Sequence, residues 1–395
     1  MSPVTLARWD SRLRPLLVRL PAPLAVRLYS AGRRRFLARL AAERPEPYDP
    51  PSELSRSLWG LRFRAPLGNA AGMFKDGGGY ELAWRQGAGF YLAGTTTALP
   101  RSGNRGNAAQ PFAPYPRSGA ASNWLGLPNE GDEAVAARLA RVAEGERREG
   151  CPVGASTAAV EGPGLSEDEA VPALVRALEL YERAGVDFLE VNESCPNTGE
   201  ARPLEEQWRD LDRRLERVAE SFLAHRRRPL PVIVKFSVDT DPVQVPQLVD
   251  RLVGLGFDGV DFGNTSTDYA GLRGKIAAPE RRLFVHFTGR YGGGVSGRPL
   301  NERSLGLARA AAEHLRSHPS GREFHVIRTG GIETGRDLAA SLAGGASLCG
   351  WFTGYFEAFA KYGHSLYRRV YSELPATETA AVMQVPRRAS QGGLP

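Results

Sequence analysis

Four asparagines, two lysines and one cysteine carry most of the chemistry that this sequence of 395 residues offers. Asn123 lies in SNWLGLPN, Asn192 and Asn197 in VNESCPNT, and Asn264 in GNTS, where Thr265 follows it. One asparagine near a strand end is usually a turn residue bonded to its own backbone. Several drawn from three separate segments are not explained that way, because buried amides are costly unless partners satisfy them. Lys75 stands in AAGMFKDG, and Lys235 closes the apolar run PVIVK, where an ammonium group either reaches solvent or serves a site. Cys195 is set apart by Pro196, which fixes the backbone after it, and by flanking amides. Cys151 and Cys349 read as inert buried thiols. Three cysteines without a C-x-x-C pair exclude a disulfide scaffold and a cysteine zinc or iron–sulfur centre, and no metal site is expected.

Phosphate binding is a separate reading. The glycine-rich segment 292–297, then Gly330 and Gly331, then Thr353 and Gly354, provide bare backbone amides of the kind that hold phosphate where a loop meets a helix start. The GGGVSG spelling is not a dinucleotide fingerprint, since it lacks a βαβ context and an acid about 20 positions on.

These residues need a scaffold that brings distant segments together. Short apolar, β-branched or aromatic runs predict strands at 66–69, 90–94, 152–156, 187–192, 230–235, 259–263, 324–329 and 346–352. Segments of helical period fall between them, at 167–184, 204–224, 242–255, 305–315 and 335–343. Eight βα units in this length imply an α/β fold of the (β/α)8 TIM-barrel type, with its chemistry at the carboxyl ends of the strands. The connections 95–129 and 264–303 are long enough to be lids or substrate walls. The expected domains are a helical extension over 1–44, a barrel over 45–374 and a disordered tail over 375–395.

Hydrophobic residues make up 42% and charged residues 24%, a globular composition. Much of the net charge of +7 sits in the first 42 residues, where nine arginines face the single acid Asp10. Leucines between them fit two amphipathic helices broken at Pro21 and Pro23. Such an arm could lie in an anionic membrane interface, contact nucleic acid, or pack on the domain with a solvated arginine face. The membrane reading is favoured over plain packing, and nucleic acid is not expected as a partner. Arginine interrupts every would-be signal region, so a cytoplasmic protein, peripheral on the inner face of the cell membrane, is expected.

Together the segments AAGMFKDG, GTTTALPRSGN, NESCPNT, GNTS, GVSGRPL and TGGI resemble the dihydroorotate dehydrogenase family, flavin enzymes of pyrimidine synthesis, over residues 59–374. The resemblance implies FMN on the barrel mouth with dihydroorotate stacked over it. Asn123, Asn192, Asn197 and Asn264, with Thr265, would then hold the substrate, and Lys75 would place positive charge near substrate and flavin. Lys235 would sit by the flavin's N1–O2 edge. Ala71, Gly72, Thr95, Ser156, Asn192, Gly297, Gly331, Phe352 and Thr353 would complete the FMN site. Cys195 would be the base that removes the C5 proton, as a thiolate favoured by its surroundings.

Two classes of the family are mixed in this chain. The basic helical arm, AAGMFKDG and GVSGRPL resemble the class that reduces quinone; Cys195 and GLPN resemble the class with soluble acceptors. Quinone is the leading acceptor, with a soluble acceptor or a related dihydropyrimidine substrate as alternatives. A non-enzymatic membrane or nucleic-acid binder would not be expected to keep all four asparagines and both lysines. Departures from the family pattern are Glu193 in an apolar position, Asp261 within a strand, Ser156 for a flavin-contacting asparagine and Gly263 for a threonine.

Overall fold

A strand covered on both faces carries apolar residues at nearly every position, and the VIVKF run is of that kind, with all five residues buried. The computed structural model describes residues 1–106, 110–160, 164–193 and 204–375. The chain enters through helices α1 (Pro3–Leu17) and α2 (Ala22–Ala41) and a hairpin of β1 (Arg56–Leu58) and β2 (Leu61–Phe63). Next come β3 (Leu67–Asn69), α3 (Tyr80–Gln86), β4 (Tyr91–Thr96), β5 (Phe112–Tyr115), β6 (Ala120–Asn123) and α4 (Asp132–Arg141). The middle holds β7 (Val153–Thr157), α5 (Glu167–Arg183), β8 (Phe188–Asn192), α6 (Leu204–Ser221), β9 (Val232–Phe236), α7 (Val245–Leu255) and β10 (Gly259–Phe262). After α8 (Tyr269–Arg273) and α9 (Arg281–Tyr291) follow β11 (Gly294–Gly297), α10 (Asn301–Ser317) and β12 (His325–Thr329). The chain then runs through α11 (Gly335–Ala343), β13 (Leu348–Trp351), α12 (Thr353–Tyr362) and α13 (Leu366–Ser372).

Eight strands form one parallel sheet in the order β3-β13-β12-β10-β9-β8-β7-β4. Its two ends meet: Asn69 Nδ2 donates to Leu92 O at 2.7 Å, and Gly89 N donates to Leu67 O at 2.9 Å. The result is a (β/α)8 barrel, and each strand starts at or within two residues of its expected position. Local signals agree with it. Capping boxes at Ser166/Glu169 and Thr334/Asp337 open α5 and α11. Gly256, left-handed at φ 89, ends α7.

The barrel interior has two layers. Its floor is apolar: Phe63 of the β1–β2 hairpin meets Phe90 and Phe188, with the three ring centroids 6.1–6.4 Å apart, and Ile233, Ile327 and Leu348 complete the cluster. Above the floor lies a polar layer, described below.

The two long connections are joined to each other. β5 and β6 form a hairpin from the first, β11 comes from the second, and the order β11-β6-β5 makes an antiparallel wall over the mouth. The segment read from sequence as a glycine-rich loop is therefore largely a strand. The amino-terminal arm packs beside this wall. Pro21 caps α2, and Pro23 lies in its first turn, where a missing N–H costs nothing, so only one break separates the helices. Arg14 binds Asp10 of its own helix and, at 2.5 Å, Glu357 of α12. Phe112 N donates to Ser30 Oγ at 3.1 Å, tying α2 to β5. Of the expected tail, residues 376–395 lie outside the described residues.

Candidate active site

A pocket of about 1060 Å³, open at its mouth, lies over the carboxyl ends of the barrel strands. Ala71, Gly72 and Lys75 reach it from beyond β3, Thr95 from β4, Asn123 from β6, Asn192 from β8 and Lys235 from β9. Asn264 and Thr265 follow β10, Gly297 ends β11, Gly331 follows β12, and Phe352 and Thr353 follow β13. Thirteen residues predicted from sequence thus share one wall. Thr353 and Gly354 begin the ten-residue helix α12 on the same wall as Gly330, Gly331 and Gly297, an arrangement that could hold an anion. Gly297 has φ 102, and a Cβ there would fall 2.1 Å from Gly119 O, so the strand can approach this closely only with glycine.

Below the pocket runs the polar layer. Asn192 Nδ2 donates to Thr95 Oγ1 at 2.8 Å, the Thr95 and Ser156 hydroxyls lie 2.9 Å apart, and Ser156 Oγ donates to Glu190 Oε1 at 2.7 Å. Lys235 Nζ donates to Asp261 Oδ2 at 2.7 Å and lies 3.7 Å from Glu190 Oε2; Thr329 Oγ1 donates to the same Asp261 oxygen at 2.9 Å. Strand register explains the grouping, since Asn192, Lys235 and Asp261 are paired positions on neighbouring strands, and Glu190 precedes Asn192 by two residues. Burial, with Asp261 adding to it and Lys235 opposing, pushes Glu190 up to about 7. Burial would lower Lys235, but Asp261 and Glu190 outweigh it and hold the ammonium above its ordinary range.

A second cavity, about 1450 Å³ and largely apolar, opens between the arm and the barrel, walled by Leu6, Leu17, Leu28, Phe36, Pro114 and Phe356 among others. It shares Arg33, Phe112, Phe352 and Thr353 with the mouth pocket, so these four residues are a common wall. Arg33 Nη2 lies 3.5 Å from Gln110 Oε1, while its Nε is buried without a hydrogen-bond partner among the described residues. Burial, with Arg34 adjacent, lowers Arg33 to about 10.

Residues 53–377 match the sequence profile described as dihydroorotate dehydrogenase. A Kineococcus radiotolerans protein named dihydroorotate dehydrogenase (quinone) is 32% identical over 386 residues, covering 93% of this chain and 94% of that one. A Nocardioides protein of the same name is 33% identical over 303 residues, covering 73% and 78%. Among solved structures, DHODH from Eimeria tenella in complex with ferulenol superposes with a TM-score of 0.65 at 26% identity, covering 87% of this chain and 89% of that one. The chain belongs to the dihydroorotate dehydrogenase family.

Of the remaining sequence-predicted residues, only Ser156 is among the described ones. Cys195 and Asn197 lie outside the described residues. Ser156 is not on the pocket wall: it is fully buried, bonded to Thr95 and Glu190, because alternation along β7 aims it into the barrel interior. Cys151 and Cys349 are buried as expected, their thiols pushed up by burial to about 12 and about 11. Glu193 has a partner in Arg214, whose Nη2 lies 2.8 Å from Oε2. Gly263 has a local role: at φ 131, a Cβ would fall 1.5 Å from Thr329 O, so this backbone needs glycine. Sequence reasoning missed Glu190, which shares a strand face with Asn192 and could have been found by that two-residue spacing. It also missed Arg33, which only the docking of α2 brings to the pocket.

Proposed function

We propose that this protein oxidises dihydroorotate to orotate with FMN in the mouth pocket and passes the electrons to a quinone in the cavity under the arm. The observation that carries the reading is the common wall: the mouth pocket and the largely apolar cavity under the arm meet at Arg33, Phe112, Phe352 and Thr353.

The residues present fit the cofactor. Backbone amides of Gly297, Gly331 and Thr353, with the start of α12, suit its phosphate. Thr95, Ala71 and Gly72 border the space for its ring, and a Cβ on Gly72 would meet no protein atom within 4 Å. Bound there, FMN supplies the acceptor for the hydride leaving C6 of dihydroorotate. Lys235, held in position by Asp261, would place positive charge beside the bound flavin. Asn123, Asn192 and Asn264, with Asn197, orient the substrate's carboxylate, carbonyls and ring N–H groups, and Lys75 adds positive charge beside them. Cys195 takes the proton from C5 as general base.

The arm serves the acceptor. Its outer face exposes Trp9, Leu13, Leu16 and Leu24 among Arg8, Arg12, Arg19 and Arg27, a pattern that suits the anionic inner face of a membrane. Among the described residues no helix is long and apolar enough to cross a membrane.

The test is spectroscopic. Purified protein should be yellow, bleach when dihydroorotate is added without oxygen, and recover its colour when a short-chain quinone follows. A protein that cannot take up FMN sinks the reading. Bleaching by dihydrouracil alone would move the substrate to another dihydropyrimidine, and recovery only with soluble acceptors would remove quinone.

A further inference from the structure

Beneath the mouth pocket, two carboxylates face one ammonium group. Glu190, Asp261 and Lys235 are 1%, 1% and 3% exposed. One oxygen of each acid is satisfied: Glu190 Oε1 by Ser156, and Asp261 Oδ2 by Lys235 and Thr329. The other two, Glu190 Oε2 and Asp261 Oδ1, are buried with no hydrogen-bond partner among the described residues. Both acids border a small, mostly apolar space under the pocket, whose wall includes Phe90, Phe188, Ile233, Ile327 and the hydroxyl-bearing Thr329. If both acids ionised, the layer would hold one net negative charge in an apolar surround. One proton on the pair makes the layer neutral and gives the orphaned oxygens a donor. Like charges confined this closely titrate as a pair rather than singly.

We propose that Glu190 and Asp261 share one proton beneath Lys235, and that this proton balances the charge that arrives in the pocket when a flavin there is reduced. The second half rests on the FMN reading above. Negative charge above Lys235 tightens the pair's hold on its proton, and removal of that charge loosens it. Above neutral pH, each two-electron reduction then takes up one further proton from solvent onto the pair, and reoxidation releases it; no bond to carbon changes. Glu190 and Asp261 act through Lys235 and are positioning residues. The groups around them are Thr95 on β4, Ser156 on β7, Asn192 on Glu190's own strand β8, Lys235 on β9, Thr329 on β12 and Cys349 on β13. Of these only Lys235 and Cys349 titrate, and the Cys349 thiol, pushed up to about 11, stays protonated. The rise of Glu190 to about 7 agrees with a proton held at neutrality.

Two measurements decide it. Infrared difference spectra of the full chain without flavin, between about pH 5 and pH 9, should show a carboxylic acid band that titrates near neutrality and is lost in Glu190→Gln. The midpoint potential of bound FMN should fall more steeply above neutrality by one proton per two electrons. That is a tenfold change in the reduction equilibrium per pH unit, about 30 mV. Glu190→Gln and Asp261→Asn should follow a single slope, and Asp261→Asn, with one acid left for one ammonium, serves if Glu190→Gln fails to fold. Absence of the infrared titration overturns the shared proton. A titrating band with an unbroken potential slope overturns the coupling. Failure to bind FMN would instead sink the reading of the pocket, and the infrared arm would still decide the proton.

Discussion

Lys235 and Asp261 are register partners on adjacent parallel strands, with Nζ and Oδ2 2.7 Å apart and both side chains buried. The pair sits directly under the pocket whose wall Lys235 completes. A lysine held this way presents its charge upward with little freedom to move. Its orientation is set from below, by an acid that does not itself reach the pocket.

Removing that lysine leaves two carboxylates with no cation between them. In the unfolded chain a glutamate ionises near 4.5, whereas folded Glu190 holds its proton to about 7 even with Lys235 present. The folded state therefore binds more protons than the unfolded state in that window, and stability falls as pH rises through it. Lys235→Met should be close to wild type near pH 5 and destabilised by about 3–5 kcal/mol near pH 8, the usual cost of an uncompensated buried charge. Urea unfolding at the two pH values checks this. An equal loss at both would show that packing, not charge, is what Lys235 contributes.

Gly32 offers a way into the cavity under the arm. It lies on α2 between Leu28 and Phe36, both of which line the cavity with it, and a Cβ there would meet nothing within 4 Å. Gly32→Leu should thus project into the cavity without disturbing the fold, and it replaces glycine in a helix interior, a gain of up to about 1 kcal/mol. The expected result is an unchanged or higher melting temperature, unchanged dye reduction with dihydroorotate, and a KM for quinone raised at least about tenfold, or 1.4 kcal/mol. Dye and quinone rates falling together would mean that the cavity is not the quinone's route.

Thr95 joins the pocket to the layer beneath it, accepting from Asn192 at 2.8 Å and lying 2.9 Å from Ser156 Oγ. Thr95→Val keeps the shape and leaves the buried amide and the serine hydroxyl each short of a partner, at about 1–3 kcal/mol. FMN affinity, read from the fluorescence of released flavin, should weaken by about tenfold or more, and kcat/KM for dihydroorotate should fall with it. An unchanged affinity would place the flavin elsewhere in the pocket.

The barrel was legible because its strands are short apolar runs spaced by helical segments, and the strand-end residues were legible because polar side chains there have no core role. Pairings across the chain were not. Glu190 and Lys235 are separated by an entire βα unit, and in a strand buried on both faces no hydrophobic alternation marks which residues point inward. The depth of Ser156 below the mouth was hidden for the same reason. That β6 and β11 would pair depends on two loops meeting over the barrel, which neither loop signals alone. Arg33 looked like one more basic residue of the arm, and only helix docking distinguishes it from Arg34 and Arg35, which stay exposed.

The outer face of the arm makes a prediction about surfaces. Arg8 and Arg12 are exposed beside Trp9 and Leu13, about one helical turn apart on α1, whereas Arg14 is turned inward and neutralised by Asp10 and Glu357. Each arginine near an anionic bilayer contributes about 1 kcal/mol, and charge reversal adds repulsion to that loss. Arg8→Glu with Arg12→Glu should therefore reduce binding to phosphatidylcholine vesicles containing phosphatidylglycerol by roughly thirtyfold or more at low salt. Binding to pure phosphatidylcholine should change little, and dye reduction should be untouched, since neither residue borders a cavity. Trp9→Ala should weaken both vesicle types alike, because what it contributes is apolar area rather than charge. Flotation of the three proteins with the two vesicle types separates these effects, and equal recovery of all three on the anionic vesicles would remove the membrane role from this face.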